Sequence, residues 1–276
     1  MKISDKLAAH QTFSFEIFPP KGDLPLEKAF EIAGAMATCG PDWISVTYSA
    51  GGSGNSDNTV AIAGSIEEKL NTTALAHLTC MGSTAADVDA YVAALAADGV
   101  QNILALRGDR RPGRGVVDFA HASDLIAHLR ATAGDAISIG AACYPEGHVE
   151  SPTEDADYLV SQLFFSNDDF YRFREKCLRH RIKLPIVAGI MPFTSVKQIQ
   201  RMAFNCGASI PAKVVKRLVQ AGDDAESQAA AGVEYACEQL CDLAANGVDG
   251  LHVYSMNKPA ISAAYEVLAG CGYLAR

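Results

Sequence analysis

Long apolar runs are missing from this sequence. A membrane-spanning helix needs about 20 consecutive apolar residues, and the longest runs here have only the length of a strand, so no transmembrane span is expected. The N-terminal stretch MKISDKLAAHQTFSFEIF holds no extended apolar segment ahead of a cleavage site. That argues against a secretory signal and makes the cytoplasm the expected location. Positive charge is also short: 23 Lys and Arg stand against 32 Asp and Glu, a formal net charge of -9. Neutralising nucleic-acid phosphates takes a basic surface, so nucleic acid is not an expected partner. None of the eight cysteines forms a C-x-x-C pair. Cys237 and Cys241 would share a helix face, but two thiolates with no His at ligand spacing do not make a zinc site. No metal is expected, and the cysteines read as reduced and buried. Interdomain linkers and low-complexity tracts are absent too. The Gly/Ser-rich stretch SAGGSGNSDN at 49–58 directly follows a candidate strand and reads as an active-site loop.

What the sequence does contain is alternation. Short apolar segments at 12–18, 43–48, 74–80, 102–106, 137–143, 158–165, 186–191 and 250–254 are mostly bounded by Gly, Pro, Asp or Asn, as strands buried on both faces are. Helical segments at 26–38, 59–70, 85–97, 122–131, 168–180, 195–205 and 225–246 lie between them. The one at 85–97 follows Ser83-Thr84, which can cap its start, and ends at Asp98-Gly99, which can stop it. Eight strands with helical crossovers predict one α/β domain over residues 1–276, a (β/α)8 TIM barrel. The alternative is an open doubly wound sheet, whose G-x-G-x-x-G fingerprint is missing after the first strand. One crossover departs from the barrel pattern. Only YPEGHVESPTEDA separates strands five and six, whereas parallel neighbours need about a dozen residues or more, mostly helical. Pro145 and Pro152 also oppose a helix there. The barrel is therefore expected to lack the crossover helix between strands five and six.

In such a barrel the chemistry sits at the C-terminal ends of the strands. The polar residues there are Glu16; Thr47 and Tyr48; His77 and Thr79; Arg107-Gly108-Asp109; Tyr144, Glu146 and His148; Gln162; and Tyr254, followed by Asn257 and Lys258. Glu16 is the most informative. Burying a carboxyl between Phe15 and Phe18 raises its pKa and suits it to give up a proton near neutrality. An equal alternative is a Glu paired with an Arg or Lys in the barrel core. His77 taken alone reads first as a satisfied core histidine, and Arg107-Gly108-Asp109 as a turn with a surface salt bridge. Gln162 needs partners for its amide, from backbone or ligand. The value of these residues is that they fall on one barrel face.

Taken in order, FSFEIFPPK, SVTYSAGG, HLTC, LALRGD, YPEGH and SQLFF resemble the methylenetetrahydrofolate reductase family, as do the later AGIMPFTSVKQIQRM and SIPAKV. The likeness runs from about residue 12 to residue 254. It implies a flavoprotein barrel that passes hydride from NADH or NADPH to FAD, then from reduced FAD to 5,10-methylenetetrahydrofolate, giving 5-methyltetrahydrofolate. It implies that Glu16 protonates the departing nitrogen of the folate imidazolidine ring, so that a reactive iminium opens. Asp109 would be a nearby negative charge that favours this cation, and Gln162 would contact folate or nicotinamide. Thr47, Tyr48, Ala50, His77, Arg107, Gly108, Asp109, Ala122, Tyr144 and His148 match flavin-contacting positions. Asp109, Gln162, Gln198 and Lys258 match substrate-contacting positions. Lys258 stands where some relatives have Arg, which keeps the charge and loses the planar donor fork. The chain ends soon after the eighth strand, as expected of the short bacterial type without a C-terminal regulatory domain. NADH is the implied donor, although no residue separates it from NADPH, and homo-oligomers are implied on family grounds.

In relatives a long helix after YPE-x-H carries the side chains that hold the FAD phosphates and ribose. This sequence has no positions for them. Three explanations stay open: a segment left out of the sequence at 153–155, a true absence with weak FAD or FMN binding, or direct hydride transfer without flavin. The alternative function is a flavin-poor or flavin-free folate-binding barrel acting as a subunit of a larger complex. Intact Glu16, Asp109 and Gln162 favour the enzyme. A Schiff-base lyase or aldolase is disfavoured, because no strand presents the Lys it would need.

Overall fold

The computed structural model describes residues 1–20, 25–48, 56–108, 116–146, 156–257, 261–270 and 272–273. In chain order the elements begin α1 (Ile3–Ala9), β1 (Thr12–Ile17), α2 (Glu27–Ala37), β2 (Trp43–Val46), α3 (Ser56–Leu70), β3 (Thr73–Thr79), α4 (Ala85–Ala97), β4 (Asn102–Leu106) and α5 (Ala122–Ala133). They continue with β5 (Ser138–Cys143), β6 (Tyr158–Ser161), α6 (Asn167–Arg179), β7 (Ile186–Ile190), α7 (Val196–Cys206), α8 (Ala212–Ala221), α9 (Ala225–Ala245), β8 (Gly250–Tyr254) and α10 (Ile261–Gly270). The eight strands pair in sequence order, all parallel, and β8 returns to β1 to close the barrel. This is the (β/α)8 fold that the alternation predicts.

Period-two alternation sorts each strand. On β1, Phe13, Phe15 and Ile17 join the apolar layer between sheet and helices, so Thr12, Ser14 and Glu16 take the opposite face, toward the barrel interior. Trp43, Leu75, Leu104, Tyr158, Val160 and Val187 fill that interior as a separate buried cluster. Thr84 caps α4 by accepting from Asp87 N while the Asp87 carboxylate accepts from Thr84 N, a reciprocal capping box.

A repeated carboxylate tie sets the entry of several strands. Asp42, Asp157 and Asp249 each stand just before an even-numbered strand. Their side chains accept from the backbone N–H of Phe13, Ile139 and Ile186, which lie on the odd-numbered strands alongside. Each tie satisfies a strand-end donor at the barrel floor. The floor itself is closed by α1, whose Ile3 is fully buried in the interior cluster. Asn102 holds it there: its Oδ1 accepts from Ile3 N at 2.8 Å, and its Nδ2 donates to the carbonyls of Met1 and Ala74.

Two expectations need correction. The sixth strand stops at Ser161 and does not run to residue 165. Leu163 and Phe165 instead pack with Met191, Phe193, Ile199 and Val214, so this apolar run lines a cluster beside α7 and α8. Three helices, α1, α8 and α10, were not anticipated. For the crossover between β5 and β6, the described ends, 144–146 and 156–157, contain no helix. Residues 147–155 of that crossover lie outside the described residues.

Candidate active site

Glu16 sits near the C-terminal end of β1, beside Ser45 of β2 and Tyr254 of β8 in strand register. It is buried, with 6% exposure. No Arg or Lys pairs with its carboxylate among the described residues. Two imidazoles face it instead: His77 Nε2 lies 3.5 Å and His252 Nε2 3.7 Å from Oε2. Among the described residues the carboxyl is flanked by histidines from β3 and β8. The Ser255 hydroxyl, just past β8, donates to the Glu16 carbonyl and ties the β8 end to β1.

Burial lowers the His77 pKa to about 4; the nearby Glu16 opposes this and His252 adds to it. His77 is therefore neutral near pH 7, and makes no full ion pair with Glu16. Its Nε2 is 2.6 Å from Ser45 Oγ, and its carbonyl accepts from the Tyr91 hydroxyl. The ring nitrogen that meets Ser45 also faces the Glu16 carboxylate. Burial likewise pushes the Tyr254 phenol well up, with Glu16 adding to the effect. Tyr254 stays protonated and donates to Ser161 O at 2.6 Å.

Several of the remaining expected residues stand at or just past the C-terminal ends of strands. Thr47 follows β2, its N–H donating to Ile17 O and its carbonyl accepting from Thr59 Oγ1. Tyr48 meets Tyr91 edge-on, with ring centroids 5.3 Å apart. Arg107 and Gly108 follow β4. Gly108 has φ +83, and a Cβ there would lie 2.9 Å from Thr79 Cβ, so this turn calls for glycine. Tyr144 follows β5, and Gln162, just past β6, donates its backbone N–H to Cys143 O. Ala122 begins α5. Gln198 is placed differently: it is buried in the first turn of α7, and its Oε1 accepts from both Thr194 N and Thr194 Oγ1. That carbonyl is committed to the helix start. Ala50, Asp109, His148 and Lys258 lie outside the described residues.

Sequence reasoning missed His252, Ser14 and Ser45. The signal was available in the alternation: His252 shares its inward parity with Tyr254, and Ser14 shares its parity with Glu16. Glu146 was noted but not given a partner. Its carboxylate accepts from Ser209 N at 2.9 Å and from the Ser209 hydroxyl, tying the β5 exit to the α7–α8 turn. Burial raises its pKa, while the Ser209 hydrogen bond acts in the opposite direction. Among the described residues no His, Cys, Asp and Glu group is arranged to hold a metal, and no helix is long and apolar enough to cross a membrane.

This geometry can be compared with known proteins. The family model described as methylenetetrahydrofolate reductase matches residues 2–271. The 5,10-methylenetetrahydrofolate reductase of Escherichia coli K12 is 31% identical over 262 residues, covering 90% of this chain and 87% of that protein. The Arabidopsis thaliana protein named methylenetetrahydrofolate reductase (NADH) 1 is 33% identical over 289 residues, covering 93% of this chain. This chain spans about half the length of such plant relatives, 49% in that case. A solved Clostridium thermocellum protein, described as binding two copies of 5-methyl-5,6,7,8-tetrahydrofolic acid, has a TM-score of 0.62 at 15% identity. It covers 99% of both chains and supports the shared fold.

Proposed function

The chain belongs to the methylenetetrahydrofolate reductase family, and from that premise we propose that it reduces 5,10-methylenetetrahydrofolate to 5-methyltetrahydrofolate. NADH or NADPH is the hydride source and FAD the bound cofactor. The observation that carries the reading is Glu16. It is a carboxyl at the mouth of the barrel, with 6% exposure and two imidazole nitrogens within 3.7 Å.

The residues at the mouth suit the ring end of a flavin. Tyr48 and Tyr144 offer aromatic edges and faces, and His77 and Arg107 offer polar groups to a planar heterocycle. They stand at the ends of neighbouring strands, where a barrel places its ligand. When bound, FAD supplies the two-electron redox chemistry. The side chains that hold the FAD phosphates in relatives have no counterpart positions in this sequence, so an absorption spectrum of the purified protein near 450 nm tests the FAD part of the proposal.

The chain's own contribution is proton management. The imidazolidine ring of the folate opens when its departing nitrogen accepts a proton. Glu16 donates that proton; the C–N bond breaks, its electron pair stays on nitrogen, and the iminium cation and the Glu16 carboxylate form together. Hydride addition to the iminium carbon completes the methyl group. General-acid help of this kind is worth about 10²–10⁴-fold in rate. Gln162 positions folate or nicotinamide, and Asp109 supplies the negative charge that favours the cation.

Steady-state turnover of 5,10-methylenetetrahydrofolate by the folded protein, with FAD and NADH or NADPH supplied, tests the proposal. Formation of 5-methyltetrahydrofolate supports it. Folate binding without any nicotinamide-dependent turnover would overturn it in favour of a non-catalytic folate-binding subunit.

A further inference from the structure

Helix α8 is apolar on two sides. Val214 and Leu218 are buried beneath it, while Val215 and Val219 stand out at 47% and 75% exposure. Its charges divide in the same way. Lys213 pairs with Glu238, and Arg217 with Glu234 and Glu238, so the side toward α9 is neutralised within the chain. Lys216 is exposed and has no ionic partner among the described residues. The same holds for Asp223, just past the helix end at Gly222. Its neighbour Asp224 is engaged at the start of α9, where it accepts from Ser227 N. A groove of about 390 Å³ lies between α7 and α8. Buried Ile199 and Leu218 form its apolar floor, and Val215, Val219 and Asp223 line it on the α8 side. Gln228 of α9 ties both walls: its Oε1 accepts from Val196 N at the start of α7, and its Nε2 donates to Gly222 O at the end of α8. The face is therefore built before anything meets it.

We propose that this face of α8 is a two-fold contact between copies of this chain, in which two α8 helices cross antiparallel at Val219. A single exposed valine is ordinary on a protein surface. Here Val219 stands between two unpaired charges of opposite sign, Lys216 before it and Asp223 after it. Those two are seven positions apart, two helical turns or about 10 Å. A stripe that runs positive, apolar, negative is complementary to its own reverse. A two-fold axis through Val219 sets Lys216 of each copy against Asp223 of the partner subunit and lays valine on valine, which is the self-matching that an isologous interface requires. Parallel approach would instead set like charges together, which suppresses that register. The contact also covers the apolar edge of both grooves. Ten residues of α8 make a helix of about 15 Å, too short to bury by itself the roughly 1,200–2,000 Å² of a standard interface. The association is accordingly of the weak, micromolar class, and its charge pairs make it sensitive to salt.

Sedimentation velocity of the intact protein across micromolar concentrations, at low and high salt, tests the contact. Self-association that grows with concentration and weakens as salt rises is expected. Lys216→Asp and Asp223→Lys should each weaken it at least about tenfold, because each change sets like charges together twice in a two-fold pair. The combined variant Lys216→Asp with Asp223→Lys should restore it, a rescue that a distorted helix would not give. Val219→Cys stands near the axis, so mild oxidation should join two chains through that residue; wild-type protein treated alike is the reference for the native cysteines. A wild type that stays monomeric would overturn the proposal. So would an assembly indifferent to both charge reversals, or one that the combined variant fails to restore. None of these readouts uses turnover, so the contact stands or falls separately from the reductase reading.

Discussion

Tyr254 lies across Gly189. A Cβ at position 189 would come within 2.6 Å of the Tyr254 ring and also against the Ser161 carbonyl, the acceptor of the Tyr254 hydroxyl. The glycine on β7 thus makes the space in which a β8 side chain crosses the barrel mouth toward β6.

Gly189→Ala should therefore displace Tyr254 or spread β6 from β7. Overpacking of this kind costs about 1–3 kcal/mol. Urea unfolding should show a lower midpoint with an unchanged slope, and folate turnover should fall because Tyr254 stands beside Glu16 in register. A variant of wild-type stability would mean that the ring moves aside freely.

Glu16→Gln keeps the shape and the polar contacts but has no acidic proton to give. Folate reduction should drop by about 10²–10⁴-fold, while NADH oxidation by the flavin, which needs no proton from this side chain, should persist. Stopped-flow measurement of each half-reaction separates the two. Equal slowing of both would remove Glu16 as the acid.

His77 makes stability depend on pH. Its folded pKa is lowered to about 4 from 6.5, so the folded protein binds this proton more weakly than the unfolded chain does. The contribution is fully present above about pH 6.5 and is lost as pH falls through about 4. Its size is of order 3 kcal/mol. Denaturant titrations across this window should show the wild type losing stability on acidification more steeply than His77→Gln. Parallel slopes would show that His77 is not desolvated.

Asn102→Ala removes the anchor of α1. The Ile3 N–H loses its acceptor and two carbonyls lose a donor, at a cost of about 1–3 kcal/mol for each group left buried and unpaired. Amide exchange in α1 should accelerate, while turnover at moderate temperature should hold, because the barrel floor is remote from the strand ends that carry Glu16. Unchanged exchange would mean that Ile3 packing alone retains the helix.

Local pattern carried much of the architecture. The eight strands could be read because each is short, apolar and flanked by residues that break a strand, and because burial on both faces leaves few other choices for such segments. Helix α4 could be read from Ser83-Thr84 at its start and Asp98-Gly99 at its end, and the structure adds Asp87 as the capping partner of Thr84. The helix α8 was hidden because it follows Pro211 directly after the α7 turn, where a proline suggests loop. The extra length expected of β6 came from Leu163–Phe165 hydrophobicity, whose actual partners are Met191, Phe193 and Val214. Apolar character says that a segment is buried, not what it is buried against.

The sequence by itself determined the parallel barrel, the family, and the placement of Glu16 at a strand end, because periodicity and motif are local properties of a chain. The surroundings of that carboxyl were decided only by tertiary structure. Nothing near Glu16 in the chain announces His252, which is more than two hundred positions away. Closure of β8 onto β1 puts His252 beside Ser14, with its ring turned toward Glu16. Closure is a property of all eight strands together, since only a complete circle of hydrogen-bonded neighbours brings the last strand to the first.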